Sequence, residues 1–232
     1  MYGFVYEGTY KYEDFNTSVN EKGETVYKLK AGIPYYTANT QPGDPKYKNM
    51  DENLQINDAD KVAIGNGQPK HTGGFTNNFT YKNFDLNIFM TWSYGNDILN
   101  ANRMIFENPS SKQNTNMFAT YVNRWTESNP YSDMPRAKAQ GAGEYSSLYV
   151  EDGSFLKLKN ITLGYNFKPK TLHPLHISSA RVYVSAENIA TISSYSGSDP
   201  EVSTRNSVLT PGFDWSAYPR AFNLSLGLNV TF

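Results

Sequence analysis

The final stretch of the chain, Phe222 to Phe232, limits the fold more than any other segment. Phe222, Leu224, Leu226, Leu228, Val230 and Phe232 alternate with Asn223, Ser225, Gly227, Asn229 and Thr231. Successive side chains of a strand point to opposite faces, so every apolar residue of this stretch shares one face and the other is small and polar. Its length matches the roughly 9–11 residues that a tilted strand needs to cross a bilayer. The pattern predicts a membrane-spanning β-strand with one side in lipid and the other in a wet lumen.

Two further alternating stretches lie upstream. Phe75, Phe79 and Tyr81 share one face, as do Phe84, Leu86, Ile88, Met90, Trp92 and Tyr94, with only Lys82 and Asn83 between them. Asn in the second turn position tolerates positive φ, which suits a tight hairpin. Tyr81 and Phe84 flank the turn while Trp92 and Tyr94 sit at the far end, where the two interfacial aromatic girdles of a barrel would lie. In FLKLKNITLGYNF, Leu156 and Leu158 are in one phase and Ile161, Leu163, Tyr165 and Phe167 in the other, which predicts a bulge near Lys159. A strand is expected around Arg181 to Ile189, and further strands near Tyr2 to Tyr12 and Thr25 to Tyr36, for six or seven in all.

The connections alternate in length. The turn at Lys82-Asn83 is short, Asn96 to Val150 is long with a helical stretch around Met117 to Trp125, Lys168 to Ser179 is shorter, and Ser193 to Pro219 is long. Outer-membrane barrels place short turns in the periplasm and long loops outside, which puts Phe232 on the periplasmic side.

Composition removes several alternatives. The 21 Lys plus Arg balance 22 Asp plus Glu, so no basic field exists to draw in nucleic acid. Without cysteine there is no thiol nucleophile or cysteine metal site. No run of about 18 apolar residues could form a transmembrane helix. Aromatics at 15% in a chain of mean hydropathy −0.61 are what alternating barrel strands produce. Met1 to Tyr6 reads as strand rather than secretory signal, so the chain is expected to be part of a longer protein.

Four ordered blocks, PKHTGGFTNNFTYKNFDLNIFMTWSYGNDILN, YVEDGSFLKLKNITLGYNF, RVYVSAENIATISSYSGSDPEVS and GFDWSAYPRAFNLSLGLNVTF, resemble in order and spacing the C-terminal strands of the SusC/RagA family of TonB-dependent transporters. The resemblance covers nearly all of residues 1–232. The chain departs from it where the family usually has Gly at Asn83 and an Asn-Leu-Phe run at Asn188-Ile189-Ala190. It implies an all-β fold, the C-terminal segment of a large antiparallel transmembrane β-barrel of about 22 strands with long extracellular loops. It also implies a cell outer membrane location and import of oligosaccharides, or sometimes peptides, beneath a SusD-like lipoprotein. TonB would act through a plug-bearing N-terminal region absent from these residues, and Phe232 resembles the terminal aromatic read by barrel-assembly machinery. No enzymatic role is implied.

The resemblance also places an EF-hand-like calcium loop at PGDPKYKNMDENLQINDAD. Aligned to it, Asn49, Asp51, Asn53, Gln55, Asn57 and Asp60 fall at ligand positions. Calcium favours carboxylates and a central Gly, but Leu54 stands for that Gly and Asn replaces two carboxylates. Calcium is therefore a weak alternative to a solvated loop, and no other cofactor is expected. Trp125, Trp215, Tyr195 and Tyr218 lie in or beside the outer loops and could stack on sugars, although large aromatics more often pack a loop core. His71, His173 and His176 lack metal-ligand spacing. Glu151 and Asp152 point apart on a strand, unlike a glycosidase pair.

Two other readings stay open. A soluble β-sandwich that binds carbohydrate at a bacterial surface would bury the same apolar faces between sheets. A small complete barrel of about 8 strands would need no further chain.

Overall fold

The computed structural model describes residues 1–51, 53–108, 116–137, 139–202 and 210–232. The alternating stretches become one antiparallel sheet of β1 (His71–Tyr81), β2 (Phe84–Tyr94), β3 (Phe155–Asn166), β4 (Ser179–Ser193) and β5 (Asn223–Thr231). Each strand pairs with its sequence neighbours in the sheet, the up-and-down order of membrane barrels. β1 and β5 each have one neighbour, so both edges are open among the described residues.

Register keeps the hydrophobic phases aligned. Phe79 faces Leu86, Leu86 faces Leu163, Leu163 faces Val184, and Val184 faces Leu226. One face is therefore apolar from edge to edge, and it is open: Leu226 is 82% exposed, and Leu224, Leu228 and Phe79 are each more than half exposed. A sandwich would have covered this face with a second sheet. The opposite face is polar. Asn87 donates to Asn78 at 2.6 Å, Asn160 donates to Ser185 at 2.9 Å, and Arg181 binds Asp85 through two nitrogens at 3.1 and 2.5 Å. Gly164 makes room for that ion pair, since a Cβ there would lie 2.4 Å from the guanidinium.

Both local sequence signals are realised, one of them differently. The pairing of β3 with each neighbour shifts between Leu158 and Asn160, so the bulge falls at Lys159 as expected. The β1–β2 hairpin also forms, with Tyr81 opposite Phe84. Its left-handed residue is Lys82, at φ 52, and not Asn83. Asn83 is held instead by Asn166, which accepts from its Nδ2 and donates to its carbonyl oxygen, each at 2.8 Å. Aromatic rings gather at both ends of the sheet, Phe84 with Tyr165 near the turn and His71 with Tyr94 at the other end.

The N-terminal expectation is corrected. Met1–Asn66, Leu99–Val150 and Phe213–Ser216 form a compact unit of their own, and the stretches near Tyr2 to Tyr12 and Thr25 to Tyr36 add no strand to the five-stranded sheet. They form short local pairs instead: Tyr6–Thr9 with Pro45–Tyr47, and Thr25–Leu29 with Phe15–Val19. Strands of four or five residues are too short to cross a bilayer. This unit packs around Phe4, Tyr47 and Ile56, with Phe4 stacked on Tyr47 at 5.0 Å. Its buried tyrosines find carbonyl partners, as buried hydroxyls require: Tyr47 donates to Gly141 and Tyr149 to Ala142, each at 2.7 Å. The segment from Asn96 to Val150 is thus more than a loop. It holds a helix at Ala101–Phe106 and, in the expected helical stretch, a 3-10 turn at Ala119–Asn123, while residues 109–115 lie outside those described.

Candidate functional site

The bulge at Lys159 determines where charge collects. Lys157 and Lys159 both lie on the polar face of β3, and each reaches the connection between β4 and β5. Lys157 Nζ sits 2.9 and 3.1 Å from the two Asp199 oxygens and 3.2 Å from Glu201 Oε2. Lys159 Nζ lies 2.9 Å from Glu201 Oε1, and Arg220 lies 3.0 Å from Glu201 Oε2. The two carboxylates are brought together locally, because the Glu201 amide donates to Asp199 Oδ1 at 2.9 Å across Pro200.

The centre of this cluster is dry, with the Lys157 side chain 3% and the Asp199 side chain 9% exposed, while Arg220 at its edge is 47% exposed. Burial alone would raise the Glu201 pKa. Hydrogen bonds from Lys159 and Lys157 and the nearby Arg220 outweigh it and hold the carboxyl below its ordinary range. Among the described residues three cations meet two carboxylates, which leaves a local excess of one positive charge.

Beside the cluster, still on the polar face, is a cleft of about 650 Å³. Thr72, Gly74, Phe89 and Thr91 line it from β1 and β2, and Lys159 and Glu201 line it from the charged side. Thr91 Oγ1 is buried there without a hydrogen-bond partner among the described residues. The cleft offers an aromatic ring, hydroxyls and fixed charge, a set suited to a polar ligand.

The residues singled out from sequence fall elsewhere. In the N-terminal unit, the loop from Asn49 to Asp60 is a series of side-chain-to-backbone turns. Asn49 Oδ1 accepts from the Asp51 amide at 3.0 Å, Asp51 Oδ1 from the Asn53 amide at 3.0 Å, and Asn53 Oδ1 from the Gln55 amide at 2.8 Å. Asp60 is buried, accepting from the Met50 amide at 2.7 Å and the Asn57 amide at 2.8 Å. Trp125 is buried in the same unit, with Tyr12 5.6 Å away and Gly43 so close that a Cβ there would lie 2.5 Å from the indole. Trp215 is 40% exposed, and Tyr218, in the unit that carries the sheet, is 90% exposed.

Sequence reading did not single out Asp44 or Arg136. Asp44 is 2% exposed and pairs with Arg136 at 2.7 Å, and the Gln41 amide donates to it at 2.9 Å. Arg136 lies 92 residues from Asp44, so nothing local links the two.

No protein-family model matches the chain. Among curated proteins it is similar to TonB-dependent receptor P3 of Formosa agariphila, 32% identical over 237 residues, across 100% of this chain and 22% of that protein. It is similar also to TonB-dependent receptor SusC of Bacteroides thetaiotaomicron, 30% identical over 202 residues, across 85% of this chain and 18% of SusC. Among solved structures the RagAB peptide transporter superposes with a TM-score of 0.67 at 23% identity, across 100% of this chain and 23% of the matched one. The chain thus spans about a quarter or less of each protein it matches.

Proposed function

We propose, from the premise that this chain is homologous to a segment of the TonB-dependent receptors, SusC among them, that it forms the C-terminal wall of a transport barrel in the bacterial outer membrane. The observation that carries this reading is the two-faced sheet. Its apolar face is exposed across five strands while hydrogen bonds and ion pairs cover the other. Burying one Leu is worth about 1.5–3 kcal/mol, so a row such as Leu224, Leu226 and Leu228 left in water would be a heavy penalty that lipid removes. The short Lys82-Asn83 turn and Phe232 then face the periplasm, and the connections after β2 and β4 face outward.

On this reading the protein imports an oligosaccharide or a peptide and does no covalent chemistry. A SusD-like lipoprotein covers the outer loops, and TonB acts through a region outside these residues. The structurally similar RagAB is a peptide transporter, which supports the class of cargo. Residues 1–232 contain no cysteine, so once any cysteine elsewhere in the full-length protein is replaced, an introduced one reports its own position. Single cysteines at Ser225, Leu226, Gly227 and Leu228 of the full-length protein, in outer-membrane vesicles, should react with a water-soluble maleimide only at Ser225 and Gly227. Equal aqueous labelling at all four positions would remove the membrane-wall reading.

A further inference from the structure

We propose that the cleft beside Lys159 is a binding site for acidic oligosaccharides, sugars carrying a carboxylate or sulfate. This rests on the transport reading and names the ligand class for one site within it. Three features of the cleft point to that class. The first is charge. Glu201 accepts from Lys157, Lys159 and Arg220 at 2.9–3.2 Å, so it holds three cations in place while cancelling only one of them. With Asp199 cancelling a second, one positive charge is left, and Lys159 borders the cleft itself. An ammonium has three donors, so Lys159, which lines the cleft, can still donate to an incoming anion.

The second feature is desolvation. The Lys159 side chain that lines the cleft is only 25% exposed, and a charge held partly out of water acts more strongly on a bound anion than a fully solvated lysine does. The third is the rest of the lining. Phe89 offers a ring for a sugar face, and Thr91 Oγ1 is a buried hydroxyl still lacking a partner among the described residues. A volume of about 650 Å³ lies within the range of small-ligand sites, enough for a short oligosaccharide.

The test uses the full-length protein purified from outer membranes in detergent, with calorimetric titration of trigalacturonate, a sulfated trisaccharide and neutral galactotriose. At least one acidic probe should bind about tenfold more tightly than galactotriose at low salt, and less so near 0.5 M salt. Lys159→Gln should erase most of that preference. Glu201→Gln separates charge from scaffolding: removing a carboxylate should tighten acidic binding, whereas a scaffolding role alone would weaken it. Equal affinity for acidic and neutral probes, binding of neither acidic probe, or weaker acidic binding in Glu201→Gln would each overturn the proposal. Outer-membrane fractionation of the same preparation tests the transport reading separately, so a barrel that binds only neutral sugar or peptide would leave that reading standing.

Discussion

Lys157 is an ammonium with almost no water around it, tolerated because both Asp199 oxygens and one Glu201 oxygen lie within 3.2 Å. Replacing it with Met would leave Asp199 buried with Arg220, 3.9 Å away, as its only counter-charge among the described residues. Breaking a buried pair from one side costs about 3–5 kcal/mol, and urea unfolding of the full-length protein in lipid vesicles should register a loss of that order. Glu201 gives a pH prediction of definite sign. Its folded pKa is below the reference of 4.5, so its contribution is complete above that value and is lost as pH falls through the folded pKa. The stability gap between the native protein and Glu201→Gln should therefore be constant near neutrality and close only in acid. The Asn49 to Asp60 loop supports a third expectation. Its side-chain oxygens already serve backbone amides, and Asp60 is spent on Met50 and Asn57, so we expect the loop to hold its shape without calcium. Calcium added to the chelator-treated full-length protein should leave its melting temperature unchanged, and a clear rise would show that the loop binds the ion. None of these ion pairs was readable from sequence, because the partners of Lys157 lie 42 and 44 residues away and Arg136 lies 92 from Asp44. A charged residue in a polar chain announces no partner until the fold supplies one.

The strands were far more legible. Period-two alternation is a local property, so β2 and β5 could be placed within about a residue, and the phase slip between Leu158 and Ile161 located the bulge. The same signal misled in the N-terminal unit. Tyr-rich stretches alternate there too, but a compact unit can use four or five residues of strand as readily as a barrel uses eleven, and only length separates the two. Which face of β5 meets lipid can be tested directly. Leu226 is central in that strand and lies opposite Val184, whereas Ser225 lies opposite Ser185 on the polar face. Arginine on the lipid side near the midplane costs about 2–4 kcal/mol. Leu226→Arg should lower vesicle stability by that amount, and Ser225→Lys by much less. A reversed order would mean that the polar face is the one in lipid.

At the scale of the whole molecule, the open sheet is the feature that calls for explanation. Among the described residues β1 and β5 each present one side without strand partners, and an unpaired backbone group in hydrocarbon costs several kcal/mol. Water would satisfy those groups, but water is also where the exposed row of Leu224, Leu226 and Leu228 is least stable. Neither solvent suits this sheet alone, and both conflicts vanish if further strands close it into a barrel. The chain's match to about a fifth of SusC is consistent with that closure. We therefore expect residues 1–232, secreted by themselves, to be degraded or to aggregate. The same residues within the full-length protein should give a protease-resistant band that shifts on heating, as folded barrels do. A protease-resistant, monomeric and heat-modifiable product from residues 1–232 alone would mean that the edges are satisfied within this chain, and the small autonomous barrel would then be the better account.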